Sequence, residues 1–179
     1  NKEGNMTDKN EKQIQIYGEA EFIFLNQRDT AFGEPGEYKV TLKVPRAKSG
    51  ELIRDINEVI STQLGDGTTS EIIRNTRKAR KPYKVVGDEV HFKAHSQFKP
   101  VLWDRNQKKL DEKINVWKGS IMWANCKASG YTKAIGSGAT LLLGSVQIDK
   151  LVEGQSLDTC PFPKRNGSAL PAPEQKDIC

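Results

Sequence analysis

Alternation with a period of two constrains this chain more than any other feature. From Gly119 to Lys133 it reads GSIMWANCKASGYTK. Met122, Ala124, Cys126 and Ala128 fall on one face, small and apolar, as a strand packed on a core requires. Ile121, Trp123, Asn125, Lys127 and Ser129 take the other face, with Tyr131 and Lys133 just beyond. A tryptophan, a tyrosine and two lysines therefore stand where water is expected.

The same period recurs along the chain. From Gln13, the residues Ile14, Ile16, Gly18, Ala20, Phe22 and Phe24 share one parity, and Gly18 permits a sharp bend. Tyr38, Val40, Leu42 and Val44 point inward, Lys39, Thr41 and Lys43 outward, and Pro45 ends that strand. DEVHFKAHSQF places Val90, Phe92, Ala94, Ser96 and Phe98 on one side and His91, Lys93, His95 and Gln97 on the other. KPVLWD reads as a short strand and RNQKKLDEK as an exposed turn. AIGSGATLLLGSVQIDKLV closes the set, its glycines allowing a bend or bulge.

One convincing helix interrupts the strands. Leu52, Ile53, Ile56, Val59, Ile60 and Leu64 recur at helical spacing, with Ser49 as N-cap and Gly65 as stop. SEIIRNTRKARKPYK reads as a short basic helix or an ordered arm. These elements predict a mainly β fold: an OB-fold-like five-stranded antiparallel barrel with one inserted helix and a short basic arm. Residues 1–12 read as a disordered segment and 13–153 as the barrel domain. Residues 154–179, with Pro161, Pro163, Pro171 and Pro173, read as an extended tail.

Composition narrows the function. Hydrophobic residues make up 36% and charged residues 28%, which suits a modest core with polar loops. The net charge of +5 is a mild excess, so its distribution matters more than its sum. Three cysteines, Cys126, Cys160 and Cys179, with no CxxC, point to a reducing compartment. No apolar run approaches the ~20 residues needed to span a bilayer, and no membrane partner is expected.

The outward positions of three strands are Lys39, Thr41 and Lys43; His91, Lys93, His95 and Gln97; and Ile121, Trp123, Asn125 and Lys127. None is acidic. A basic groove tracks a phosphate backbone, and an aromatic plane stacks on any base. From the pattern alone, single-strand binding and a solvated strand face stay open alternatives. Glu19 and Glu21, outward on the first strand, weigh against the former. The run from Arg74 to Lys84 carries Arg74, Arg77, Lys78, Arg80, Lys81 and Lys84, either an arm on phosphates or a solvated face. Trp103 and Trp117 are expected to be packed. His91 and His95 on a strand lie roughly 13 Å apart, too far to share one ion. IGSGAT is no phosphate loop, since no GK[ST] follows. No nucleophile–base pair is visible, so neither catalysis nor a cofactor nor a metal is expected.

Four segments resemble the single-stranded-DNA-binding proteins of small lytic tailed, podovirus-type phages. They are AFGEPGEYKVTLKVP (Ala31–Pro45), EVHFKAHSQF (Glu89–Phe98), PVLWDRNQKKL (Pro100–Leu110) and AIGSGATLLLGSVQIDKLVE (Ala134–Glu153), in the family's order. The resemblance implies an OB barrel with a helix after the second strand. It also implies coating and protection of single strands in phage DNA replication, recombination and repair, with annealing activity. The setting would be the cytoplasm of an infected bacterium, with phage replication proteins as further partners. Carried over by position, the family's basic strand falls on His91 and Lys93, and a base-stacking aromatic on Tyr131. Gly36 stands after Pro35 where the family often has arginine, and LPAPEQKDIC lacks the family's acidic tail.

The candidate nucleic-acid contacts are Lys39, Lys43, Arg77, Lys78, Arg80, His91, Lys93, Trp123, Lys127, Tyr131 and Lys133. The alternatives are a phage structural or protein-adaptor module, and a nuclease or recombinase accessory on the same barrel.

Overall fold

The computed structural model describes residues 10–65, 68–134 and 136–153. Seven strands form in chain order: β1 (Glu11–Asp29), β2 (Glu37–Pro45), β3 (Tyr83–Val86), β4 (Glu89–Ser96), β5 (Val101–Trp103), β6 (Ile121–Lys133) and β7 (Gly136–Lys150). Two helices, α1 (Gly50–Leu64) and α2 (Thr69–Lys78), lie between β2 and β3. β1 begins two residues before the expected start, pairing Glu11 and Lys12 with Ser129 and Ala128. Residues 1–9 of the expected N-terminal segment and the expected tail lie outside the described residues.

Five strands close a barrel. β1 pairs antiparallel with β2 and β6, β2 with β4, and β6 with β7. A parallel seam, Ala94 to Leu141 and His95 to Leu142, joins β4 to β7 and completes the ring. β3 extends the sheet beyond β4, and β5 runs parallel beside β7. This ring order, with one parallel seam among antiparallel pairs, is an OB-fold-like barrel.

Inward side chains fill it. Ile14, Ile16, Val40, Leu42, Phe92, Met122, Leu141 and Val146 are all buried. α1 turns Ile56, Val59 and Ile60 onto this core. From outside, Lys12 Nζ donates to Asp55 Oδ1 (2.9 Å) and Glu58 Oε2 (3.2 Å) of the helix. Ser49 does precede α1, but its hydroxyl donates to the Arg46 carbonyl (2.8 Å) rather than capping the helix. The basic run divides: Arg74, Arg77 and Lys78 fall in α2, closed at its N-terminus by a reciprocal capping box of Thr68 and Glu71, and Lys84 falls in β3.

Several parity expectations are corrected. Phe22 is 70% exposed with φ 47°, and the β1–β2 register shifts between Glu21 and Phe24. That bulge moves one residue out of phase, so Leu25 takes the core position. Phe98 is exposed, because β4 ends at Ser96 and the chain turns with the Phe98 N–H donating to Ser96 Oγ (3.0 Å). Thr41, outward by parity, is nevertheless covered.

Candidate nucleic-acid interface

The outer face of β1, β6, β7 and β5 aligns its side chains in rows. Trp123 pairs with Tyr17 on one side and Gln147 on the other, and Gln147 pairs with Trp103. One step along the strands, Gln15 faces Asn125, and Asn125 faces Ser145. Between Trp103 and Trp123 these residues line an open cavity of about 610 Å³, with Gln147 among its walls. Trp103 is 37% and Trp117 53% exposed, correcting the expectation that both are packed. A three-residue strand beside β7 carries Trp103 onto the same face as Trp123.

Tyr17 braces this end. Its ring lies 4.8 Å from that of Trp123, centroid to centroid. Its hydroxyl donates to Asp149 Oδ2 (2.6 Å), whose other oxygen meets Arg105 Nε at 2.9 Å. The bond to that carboxylate, helped by desolvation, pushes the Tyr17 hydroxyl up from its ordinary value, so it stays a donor through neutral pH.

The groove continues along β7. Asn125 is shared with a second cavity of about 400 Å³, lined among others by Gln13, His95, Phe98, Lys127 and Leu142. At the far end of the β6–β7 hairpin, Arg80 pairs with Gly138 in a parallel bridge, its N–H donating to the Ser137 carbonyl and its carbonyl accepting from the Ala139 N–H (3.0 Å each). A Cβ added at Gly138 would lie 2.9 Å from both Arg80 Cβ and Tyr131 Oη, so these two residues close over the glycine. Lys133 Nζ stands 5.4 Å from the centre of the Tyr131 ring. From Gly138 to Gln147, β7 spans roughly 30 Å at ~3.3 Å per residue.

The sequence-predicted residues therefore separate into groups. Trp123 and Lys127 sit in the groove, and Tyr131, Lys133 and Arg80 extend it. Arg77 and Lys78 lie in the last turn of α2, just before Arg80. Lys39, Lys43, His91 and Lys93 sit on β2 and β4, the two barrel strands that do not adjoin β6.

Acids stand against several of these basic residues, all but Glu89 from another element. Lys39 pairs with Asp29, and Lys43 with Glu19 (3.0 Å) and Glu21 (3.7 Å). His91 meets Glu89 at 3.1 Å, His95 meets Glu37 at 3.2 Å, and Lys127 meets Glu11 at 3.1 Å. The hydrogen bond to Glu19 holds the Lys43 ammonium above its ordinary pKa. Among the described residues, Arg77, Lys78, Arg80, Lys93 and Lys133 enter no ion pair.

Among the described residues no three His, Cys, Asp or Glu gather as metal ligands. Cys126 points into the core, where burial pushes its thiol up to about 12, well away from a reactive thiolate. Among the described residues no helix is long and apolar enough to cross a membrane.

Sequence reasoning missed Tyr17, Trp103, Gln147 and Phe98. For Tyr17 a signal existed: its parity opposes Ile16 and Gly18, like that of Trp123 opposite Met122 and Ala124.

No protein-family model matches the chain, and no curated protein matches it. Solved structures do. The single-stranded DNA binding protein gp2.5 encoded by bacteriophage T7 is 19% identical, with a TM-score of 0.65 over 84% of this chain and 98% of that one. The single-stranded DNA-binding protein from bacteriophage Enc34, solved in complex with ssDNA, is 15% identical, with a TM-score of 0.61 over 79% and 88%. Its C-terminally truncated form gives 16% and 0.60 over 81% and 92%. The barrel described here is the fold of these phage proteins.

Proposed function

We propose that this chain binds single-stranded DNA along the outer face of β6 and β7, stacking bases on Trp123, Trp103 and Tyr131 and meeting phosphates with Arg80, Lys133 and Lys127. The carrying observation is the row Tyr17–Trp123–Gln147–Trp103: three aromatic side chains facing solvent on one sheet face, continuous with a cationic hairpin end. A soluble barrel has no packing reason to present such a row, whereas a single strand offers a base for each ring. The fold shared with two phage proteins named for single-stranded DNA binding, one of them solved with ssDNA, supports the same reading.

Over most of the path, binding is weakly dependent on sequence. The role is to coat and protect single strands during phage replication, and with it recombination and repair, in the cytoplasm of an infected bacterium. The protein catalyses no reaction. Lys39, Lys43, Arg77, Lys78, His91 and Lys93 form a second rank of basic residues that meet DNA as it leaves the groove.

Intrinsic tryptophan fluorescence titrated with oligothymidine at two salt concentrations tests this. Strong quenching is expected, with affinity falling at the higher salt. Trp123→Ala weakens binding by ~1–3 kcal/mol with an unchanged far-UV spectrum. Absence of binding at low salt overturns the reading, and full affinity in Trp123→Ala removes the stacking model.

A further inference from the structure

The rings of Trp103 and Trp123 rise from strands on either side of β7, both in register with Gln147. Two strand spacings separate their backbones, about 9.5 Å, which equals two stacking steps within the ~4.5–7 Å range for ring centroids. The cavity that they line together with Gln147, about 610 Å³, has room for one base. On its β1 side, Trp123 is already packed against Tyr17.

The polar groups in this cavity are all neutral. Gln15, Asn125 and Ser145 line it one step along the strands, and no charged side chain does. Gln147 Nε2 donates to the Asp104 carbonyl (3.1 Å), which leaves its Oε1 to accept. Phosphate binding calls for cations, and these stand elsewhere on the strip. A primary amide instead offers a donor beside an acceptor, the pattern that pairs bidentately with the N6 amino group and N7 of adenine.

Building on the single-strand reading above, we infer that this cavity is a base-reading subsite: it takes one adenine between Trp103 and Trp123 and reads its edge with the amides of Gln15 and Asn125. The rest of the strip stacks and neutralises without reading. Selectivity therefore enters at a single position of the bound strand.

The test compares dye-labelled oligothymidine of about 16 nucleotides with the same oligomer carrying one central adenine, or one central inosine, whose carbonyl replaces the amino group. The adenine oligomer is expected to bind about five- to tenfold tighter than oligothymidine, and inosine to lose that gain. The Gln15→Ala/Asn125→Ala double variant, altered only at exposed positions, is expected to lose the gain, so that the adenine oligomer and oligothymidine bind it alike. Equal affinity for the adenine oligomer and oligothymidine overturns the subsite and leaves single-strand binding standing. So does an adenine gain that survives in the double variant. Failure of every oligomer to bind overturns the single-strand reading itself, and the subsite with it.

Discussion

Lys127 lines the groove, yet Glu11 holds its ammonium at 3.1 Å from the neighbouring strand. A phosphate entering there must displace that carboxylate. Glu11→Gln is therefore expected to tighten single-strand binding about two- to fivefold at low salt, the scale of an exposed ion pair. The slope of log affinity against log salt should steepen by up to about one. Fluorescence titrations across a salt series check both. Asp29 behaves differently, because its hydrogen bond to Lys39 holds its carboxyl below the ordinary aspartate value. A depressed carboxyl stabilises the fold above its unfolded pKa of ~3.9 and loses that contribution as pH falls through the lower folded value. Urea midpoints measured from pH 5 to 2.5 should fall more steeply for the native protein than for Asp29→Asn. Equal pH profiles would show that the pair carries no stability. These pairs explain why an outward face read as free of acids is not: Glu11, Asp29 and Glu37 sit at strand ends, Glu19 and Glu21 on the strand alongside. Only register places them beside their lysines and histidines.

The β6–β7 hairpin shows how tightly one element can be fitted. At Gly138 a side chain would run into the Arg80 carbonyl as well as Tyr131. Gly138→Ala is expected to cost ~1–3 kcal/mol of stability, the usual range for overpacking, and to weaken DNA binding by displacing Arg80 and Tyr131 together. Thermal melting and oligothymidine titration of one variant read both effects. Parity in β6 was legible in the sequence because its pattern is unbroken from Ile121 to Ser129. In β1 it was legible only as far as Glu21. The alternation runs on through Phe22 and Phe24, while the backbone takes a positive φ that no residue pattern announces. β5 has three residues, too few to show a period, so the exposure of Trp103 depends wholly on its pairing with β7. For α2 the Thr68–Glu71 box was the available signal, and it separates a helix from an arm.

At the scale of the molecule, the ring closes through two residue pairs between β4 and β7, reinforced by His95 Nε2 and Thr140 Oγ1 at 2.6 Å. The other barrel seams are far longer. Hydrogen exchange is expected to show this seam opening at lower free energy than the β1–β6 ladder, since local stability follows the backbone bonds and packing present. Uniform protection around the ring would contradict that. The barrel itself was legible in the sequence, because alternating strands with one amphipathic helix leave few other ways to bury their faces. Which faces lie together around it was not, since that depends on strand order.

The strip along β7 has unlike ends. Trp103, Trp123 and Tyr17 mark one, and Tyr131, Lys133 and Arg80 the other. A nucleic acid strand is itself directional, so under the proposed function it meets such a track in one preferred sense. Copies placed along one strand would then share one orientation, set by the arrangement of side chains on a single sheet face.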